Sequence, residues 1–136
     1  MDLFVSNGTL NVSNDNATPA NGTTGVWSVA QSGTLAFSSG GLGRGGAGTV
    51  KLNGGTLRWN TGNNQDVSPR LVLADGANVT LDSGSNVVTF AADLATGPLG
   101  DAGVIKTGAG RFVLAASNHF AGPTVIEAGA LALSGT

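Results

Sequence analysis

Apolar residues in this chain recur as short alternating triplets, apolar-x-apolar, each entered through a glycine. The full unit is a small residue, a glycine, one variable residue and then the triplet. It appears as Asn7-Gly8-Thr9-Leu10-Asn11-Val12, Ser32-Gly33-Thr34-Leu35-Ala36-Phe37, Ala47-Gly48-Thr49-Val50-Lys51-Leu52 and Gly54-Gly55-Thr56-Leu57-Arg58-Trp59. It returns as Asp75-Gly76-Ala77-Asn78-Val79-Thr80-Leu81 with one residue inserted, Ala109-Gly110-Arg111-Phe112-Val113-Leu114 and Ala128-Gly129-Ala130-Leu131-Ala132-Leu133. A period of two places the outer residues of each triplet on one face, which is the strand period. Glycine supplies the left-handed corner before it without steric cost. Further strands are expected at Phe4-Val5, Val26–Val29, Leu71–Leu73 and Val87–Phe90. That makes about a dozen, spaced roughly ten residues apart.

Such strands are too short to stand alone and must stack on copies of themselves. The first apolar residues of the units, Leu10, Leu35, Val50, Leu57, Val79, Phe112 and Leu131, follow one another at unequal intervals, so loops of different length interrupt a common strand unit. The same spacing suits a sandwich or another β fold. Hairpin alternation with a charged outer face is poorly developed, however, and the segments are shorter than the usual strand. A single all-β domain, a parallel β-helix (solenoid) with three short strands per coil, explains both features better. Three irregular loops are expected: Ser13–Gly25, which bulges from the stack, Ser38–Gly48, glycine-rich and mobile or tightly wound, and Asn60–Pro69, a third excursion.

The pattern is densest at residues 102–136, which read as four strands. These are Val104-Ile105-Lys106, Phe112-Val113-Leu114, Val125-Ile126-Glu127 and Leu131-Ala132-Leu133. Gly103, Lys106, Gly108, Gly110, Gly122 and Gly129 form the expected turn framework, and Phe112, Leu114, Val125, Leu131 and Leu133 the expected core.

Composition narrows the class. Among 136 residues there are 23 glycines but only 4 prolines, and 40% of residues are apolar, which excludes collagen and argues against disorder. The formal charge of −2 and the scatter of six Lys and Arg leave no basic stripe for nucleic acid. The chain has no cysteine, so disulfide, thiolate-metal and thiol-nucleophile chemistry are all excluded. Met1 directly before such a sequence reads as an expression start, and the chain as one β-helix segment excised from a longer protein. No run approaches the roughly 20 apolar residues of a membrane helix.

Candidate chemistry is sparse. Gly43–Gly48 has the GxGxxG spacing, but a strand follows it where a nucleotide-binding turn needs a helix. No aspartate accompanies that glycine run, which excludes a calcium-binding nonapeptide. The nearest acidic pair, Asp75 and Asp82, lies at glycine turns, where a capping carboxylate is the plain reading against catalysis. His119 is the sole histidine and cannot form a two-histidine metal site. Trp27 and Trp59 fit inward strand positions, with sugar stacking as the competing use. No catalytic, metal or cofactor-binding residue is expected.

Residues 103–131 carry a resemblance. Gly103-Val104-Ile105-Lys106-Thr107-Gly108-Ala109-Gly110-Arg111-Phe112-Val113-Leu114, then Asn118-His119-Phe120-Ala121-Gly122-Pro123-Thr124-Val125, then Ala128-Gly129-Ala130-Leu131 resemble the passenger-associated transport repeat. This is the autotransporter-associated β-strand repeat of Gram-negative type V secretion proteins. Arg111 and Ala130 stand where that repeat usually has threonine, and Pro123 replaces a Gly or Thr in the corner.

The resemblance implies a right-handed parallel β-helix, exported through periplasm and outer membrane to the cell surface by the protein's own C-terminal barrel, which this segment lacks. It implies a non-enzymatic passenger segment that promotes folding and secretion and serves as a stalk. The competing class is an adhesin module whose loops at Ser13–Gly25 and Asn60–Pro69 bind a host or glycan ligand; a third is a β-helical carbohydrate enzyme. Expected partners are neighbouring rungs and that barrel. A cut solenoid also exposes strand edges, so end-to-end self-association of the segment is expected.

Overall fold

The computed structural model describes residues 2–13, 25–42 and 48–135. Their strands are β1 (Leu3–Val5), β2 (Thr9–Val12), β3 (Val26–Phe37), β4 (Thr49–Trp59), β5 (Leu71–Leu73), β6 (Asn78–Asp82), β7 (Val87–Phe90), β8 (Ala95–Thr96), β9 (Gly103–Thr107), β10 (Arg111–Leu114), β11 (Thr124–Ile126) and β12 (Ala130–Leu133). Every pairing is parallel. The chain is an all-β solenoid of about five turns, with one 3-10 turn among the described residues, at Ser68–Arg70.

Three faces build each coil. The first holds β1, the first half of β3 and of β4, β5 and β8; the second holds β2, the second halves of β3 and β4, β6, β9 and β11. The third is β7, β10 and β12. In-register parallel stacking keeps equivalent side chains in columns along the axis. On the second face the inward column runs Leu10, Leu35, Leu57, Leu81, Lys106, Ile126. On the third it runs Val88, Phe112, Leu131, with Phe90, Leu114, Leu133 beside it.

These columns explain the irregular spacing of the glycine units, which fall on different faces. Leu10 to Leu35 is one full coil on the second face. Val50 and Leu57 lie on two faces of the same coil, so together they span Leu35 to Leu57. Val79 pairs with Val104 one coil on, and Phe112 lies on the face after that. Phe112 to Leu131 is again one full coil, a shorter one. The unequal intervals come largely from a repeat read across changing faces, and only in small measure from loops.

Among the described residues, three strands per coil occur only where β5, β6, β7 and then β8, β9, β10 follow one another. Two earlier coils merge their first two faces into the long bent strands β3 and β4. The ladder bends at Gln31, whose φ is 53°, and slips between Gln31 and Thr34 before resuming. The third face of these coils has no strand among the described residues.

Asn60–Pro69 is therefore no excursion. Within it Val67 is fully buried, Asn63 is 2% exposed, and the Asp66 carboxylate accepts from the amides of Ser68 and Ala91. Its polar side chains bond to neighbouring backbone, which holds the segment as solenoid wall. Ser13–Gly25 and the GxGxxG stretch fall mostly outside the described residues.

Apolar side chains from all three faces fill one continuous core. Trp59 sits at its centre, with ring centroids 5.1 Å from Phe37, 5.6 Å from Phe90 and 5.0 Å from Phe112. Its indole N–H donates to the Gln65 carbonyl at 2.9 Å. Trp27 is also buried, at 4% exposure, so neither tryptophan is available to stack on a sugar.

The columns give a direct test by denaturant unfolding. Leu57→Ala in the buried column is expected to cost about 2–5 kcal/mol. Val87→Ala, on the 59%-exposed outer side of the third face, should stay within about 0.5 kcal/mol.

Candidate functional site

Where the second face turns into the third, each coil leaves backbone carbonyls pointing into the core. A buried carbonyl without a donor is costly. Backbone amides satisfy several of them, as those of Asn60 and Ser83 do for the Phe37 and Thr107 carbonyls, and buried side chains add further donors. The Asn63 amide donates to the Phe37 carbonyl at 2.9 Å. Asn86 Nδ2 lies 3.2 Å from the Trp59 carbonyl and 2.9 Å from those of Asn60 and Ser83, while its Oδ1 accepts from the Gly62 amide. Further along the axis Lys106 fills the same role. Its ammonium donates to the carbonyls of Thr107, Gly108 (2.8 Å) and Ala128 (3.2 Å).

Lys106 is fully buried, in the slot that leucine fills in the four preceding coils. Its strand neighbours explain this: Val104 and Lys106 point inward and Ile105 outward by simple alternation. The ammonium also lies 5.4 Å from the centre of the Phe112 ring, whose negative face attracts it. Burial lowers the lysine pKa from its usual 10.5, and the Asp82 carboxylate only partly opposes that shift. Two of its acceptors belong to its own turn and one to the next coil. The side chain therefore staples the coil of β9 and β10 to that of β11 and β12.

Lys106 is thus not part of the turn framework in which the sequence placed it; it is a core group bonded to that framework. Gly108 and Gly129 take the left-handed conformation at successive corners, with φ of 81° and 69°. Gly103, Gly110 and Gly122 have ordinary φ but lie where a Cβ would overlap backbone of an adjoining coil. Gly129 combines both constraints, because its missing Cβ faces the Gly108 and Gly110 carbonyls and the Lys106 ammonium.

Phe112 and Leu114 are buried, and the Phe112 and Phe90 rings stack at 5.0 Å. Leu131 is partly buried against the core. Val125 is 44% exposed, and register explains it: Val125 pairs with outward-facing Ile105, so Thr124 and Ile126 take the inward line of β11. Leu133 continues the inward column of Phe90 and Leu114 but is 76% exposed, because nothing among the described residues lies beyond it.

The carboxylates are spread over the corners. Asp75 accepts from the amides of Leu99 and Gly100, and Asp101 from that of Gly76, so these two clasp adjacent coils reciprocally. Asp82 accepts from the Gly84 amide and pairs with Arg58 at 2.9 Å. His119 Nδ1 lies 2.6 Å from an Asp93 carboxylate oxygen on the exposed surface. Among the described residues no three His, Asp or Glu side chains converge on a metal-sized site. Sequence reasoning passes over Asn63 and Asn86, since asparagine is common in any turn. The usable signal lies in Lys106, a charge in an apolar slot of an alternating strand.

A parallel solenoid whose corners are sealed by buried donors is a structural repeat architecture. Residues 104–133, from β9 through β12, match the family model for the passenger-associated-transport-repeat. The matched segment is thus similar to an autotransporter passenger-type repeat, which is a structural repeat and not a known catalytic family, and which is a repeat of secreted, cell-surface proteins. No curated protein and no solved structure matches the chain significantly.

Lys106→Met keeps the stem but removes the donor to the Gly108 and Ala128 carbonyls, while Thr107 keeps the Ser83 amide, and should destabilise the fold by about 2–3 kcal/mol. The pH dependence has a definite sign. With the folded pKa below that of the unfolded chain, the unfolded state holds more protons in between, so the Lys106 contribution rises with pH toward 10.5. Stability measured at increasing alkaline pH should show this rise in the wild type and lose it in Lys106→Met. Gly129→Ala and Gly76→Ala meet the same φ of 69°, but only Gly76 has open space around it. Gly76→Ala is expected to cost about 1 kcal/mol and Gly129→Ala at least about 3 kcal/mol in chemical denaturation.

Proposed function

We propose that this solenoid is a non-enzymatic passenger segment that drives folding of the passenger outside the outer membrane and carries distal parts as a stalk. The observation that carries the reading is the reach of Lys106: within the matched repeat, one side chain bonds to carbonyls of two successive coils. A coil that emerges beside its predecessor completes a ladder, a core column and this staple by contacts with that neighbour alone. Each completed coil opposes retreat of the chain. Low charge and the absence of cysteine suit passage as an unfolded chain, with no disulfide to block it.

The test uses the full-length passenger with its translocating barrel. Replacing residues 104–133 by a flexible Gly/Ser segment of equal length is expected to lower surface display several-fold while synthesis is unchanged. Phe112→Asp together with Lys106→Met should act in the same direction. Display at the wild-type rate in both variants overturns the proposal.

A further inference from the structure

The corner between the first and second faces carries Asn7-Gly8, which lies between β1 and β2 and outside the ladder. Two donors converge on the Asn7 side-chain oxygen: the Gly8 amide at 2.9 Å and the Ser32 hydroxyl of the following coil at 3.1 Å. An amide N–H can only donate, so it fixes the carboxamide with its oxygen toward both. The contact sets the Gly8 nitrogen beside the Asn7 amide carbon, and these are the two atoms whose bonding closes a five-membered ring. Gly8 has a φ of 74° and open space where a side chain would stand, so nothing obstructs that closure. Its carbonyl accepts from the Thr34 amide at 2.8 Å, which anchors the peptide. Ser32 and Thr34 both belong to the following coil, so this geometry owes nothing to what stands before Leu3. Exposure is likewise a property of the corner. Gln31, Ser32, Asn53 and Gly76 are exposed along it with coils stacked on both sides.

We infer that Asn7-Gly8 is a site of spontaneous covalent modification, at which the chain attacks itself and water completes the reaction. The Gly8 nitrogen gives its proton to solvent base and bonds to Asn7 Cγ. The carbonyl electron pair moves onto Oδ1, where the Ser32 hydroxyl donates to the developing negative charge. Collapse of that intermediate breaks the Cγ–Nδ2 bond; the nitrogen takes up a proton and leaves as ammonia, and a succinimide ring remains. Water then opens the ring at either carbonyl, giving aspartate or isoaspartate without an oxidant or an enzyme. The neutral corner gains one negative charge. Isoaspartate also lengthens the main chain by one carbon, which the open space at Gly8 accommodates. Asn53-Gly54 supplies the contrast within the same molecule. Asn53 is exposed too, but it pairs with Ala30, and Gly54 with Gln31, inside β4, so closing a ring there must first turn a peptide out of the ladder. A third pair, Asn21-Gly22, lies outside the described residues. None of this chemistry depends on a role in export.

Peptide mapping by mass spectrometry tests this on the chain and on the longer passenger after incubation in mildly alkaline buffer, with digestion in heavy-oxygen water to mark conversion during handling. Asn7 is expected to convert at least about tenfold faster than Asn53 in the same folded molecule. In urea the two rates should converge, because only the fold distinguishes the pairs. Ser32→Ala, at an exposed position, should leave the circular dichroism spectrum and the Asn53 rate unchanged and slow Asn7 by at least about threefold. A folded chain in which Asn7 converts no faster than Asn53 overturns the proposal. So does a passenger in which Asn7 stays intact, a gap in rate that persists in urea, or a Ser32→Ala variant whose Asn7 converts at the wild-type rate.

Discussion

Strands of two to five residues have no independent stability, and in this chain almost all of them are that short. Their existence rests on the parallel, in-register ladder between one coil and the next. That ladder sets everything else: it aligns inward residues into columns, brings carboxylates at one corner within reach of amides on the neighbouring coil, and puts glycines against backbone where no Cβ fits. Coil length can shrink from the long step of Leu10 to Leu35 to the shorter step of Phe112 to Leu131, because only the strand register has to be kept.

Stacking of this kind creates a problem at the corners, where backbone turns inward and its carbonyls leave solvent. Turn amides, supplemented by two asparagines and a lysine, resolve it along one edge of the core. Asparagine suits coils whose third face passes close to the corner, as at Asn63 and Asn86. In the later coils the donor comes from the second face, and only a long side chain spans from there to the turn carbonyls of two coils. The three bonds and the Phe112 ring compensate a charge withdrawn from water. The segment that matches the transport repeat is also where the solenoid ties successive coils through a buried ion.

The few charges are used in a consistent way. Asp75 and Asp101 reach across the boundary between coils in opposite directions, and Asp66 bridges the next corner. A carboxylate accepting backbone amides from an adjoining coil resists sliding of one coil over another, which apolar columns alone would resist weakly. Asp66, Asp75, Asp82, Asp93 and Asp101 are thereby distributed one or two to a corner, each already engaged.

Much of this is legible in the chain itself. The two-residue alternation after each glycine identifies the strands, because a half-buried strand imposes that period locally, and the motif of residues 103–131 identifies the repeat. Register is not legible. The glycine units recur on all three faces, so their spacing mixes face-to-face with coil-to-coil steps, and only the paired strands separate the two. For that reason the sequence alone assigns Val125 to the core, Asn60–Pro69 to an excursion from the stack and Lys106 to a turn, whereas the structure exposes Val125, keeps Asn60–Pro69 as irregular wall and buries Lys106. Alternation within a strand is a local property and is written in sequence; which phase faces the core, and which carbonyls are left there without water, depends on coils about twenty residues away and is decided only when they stack.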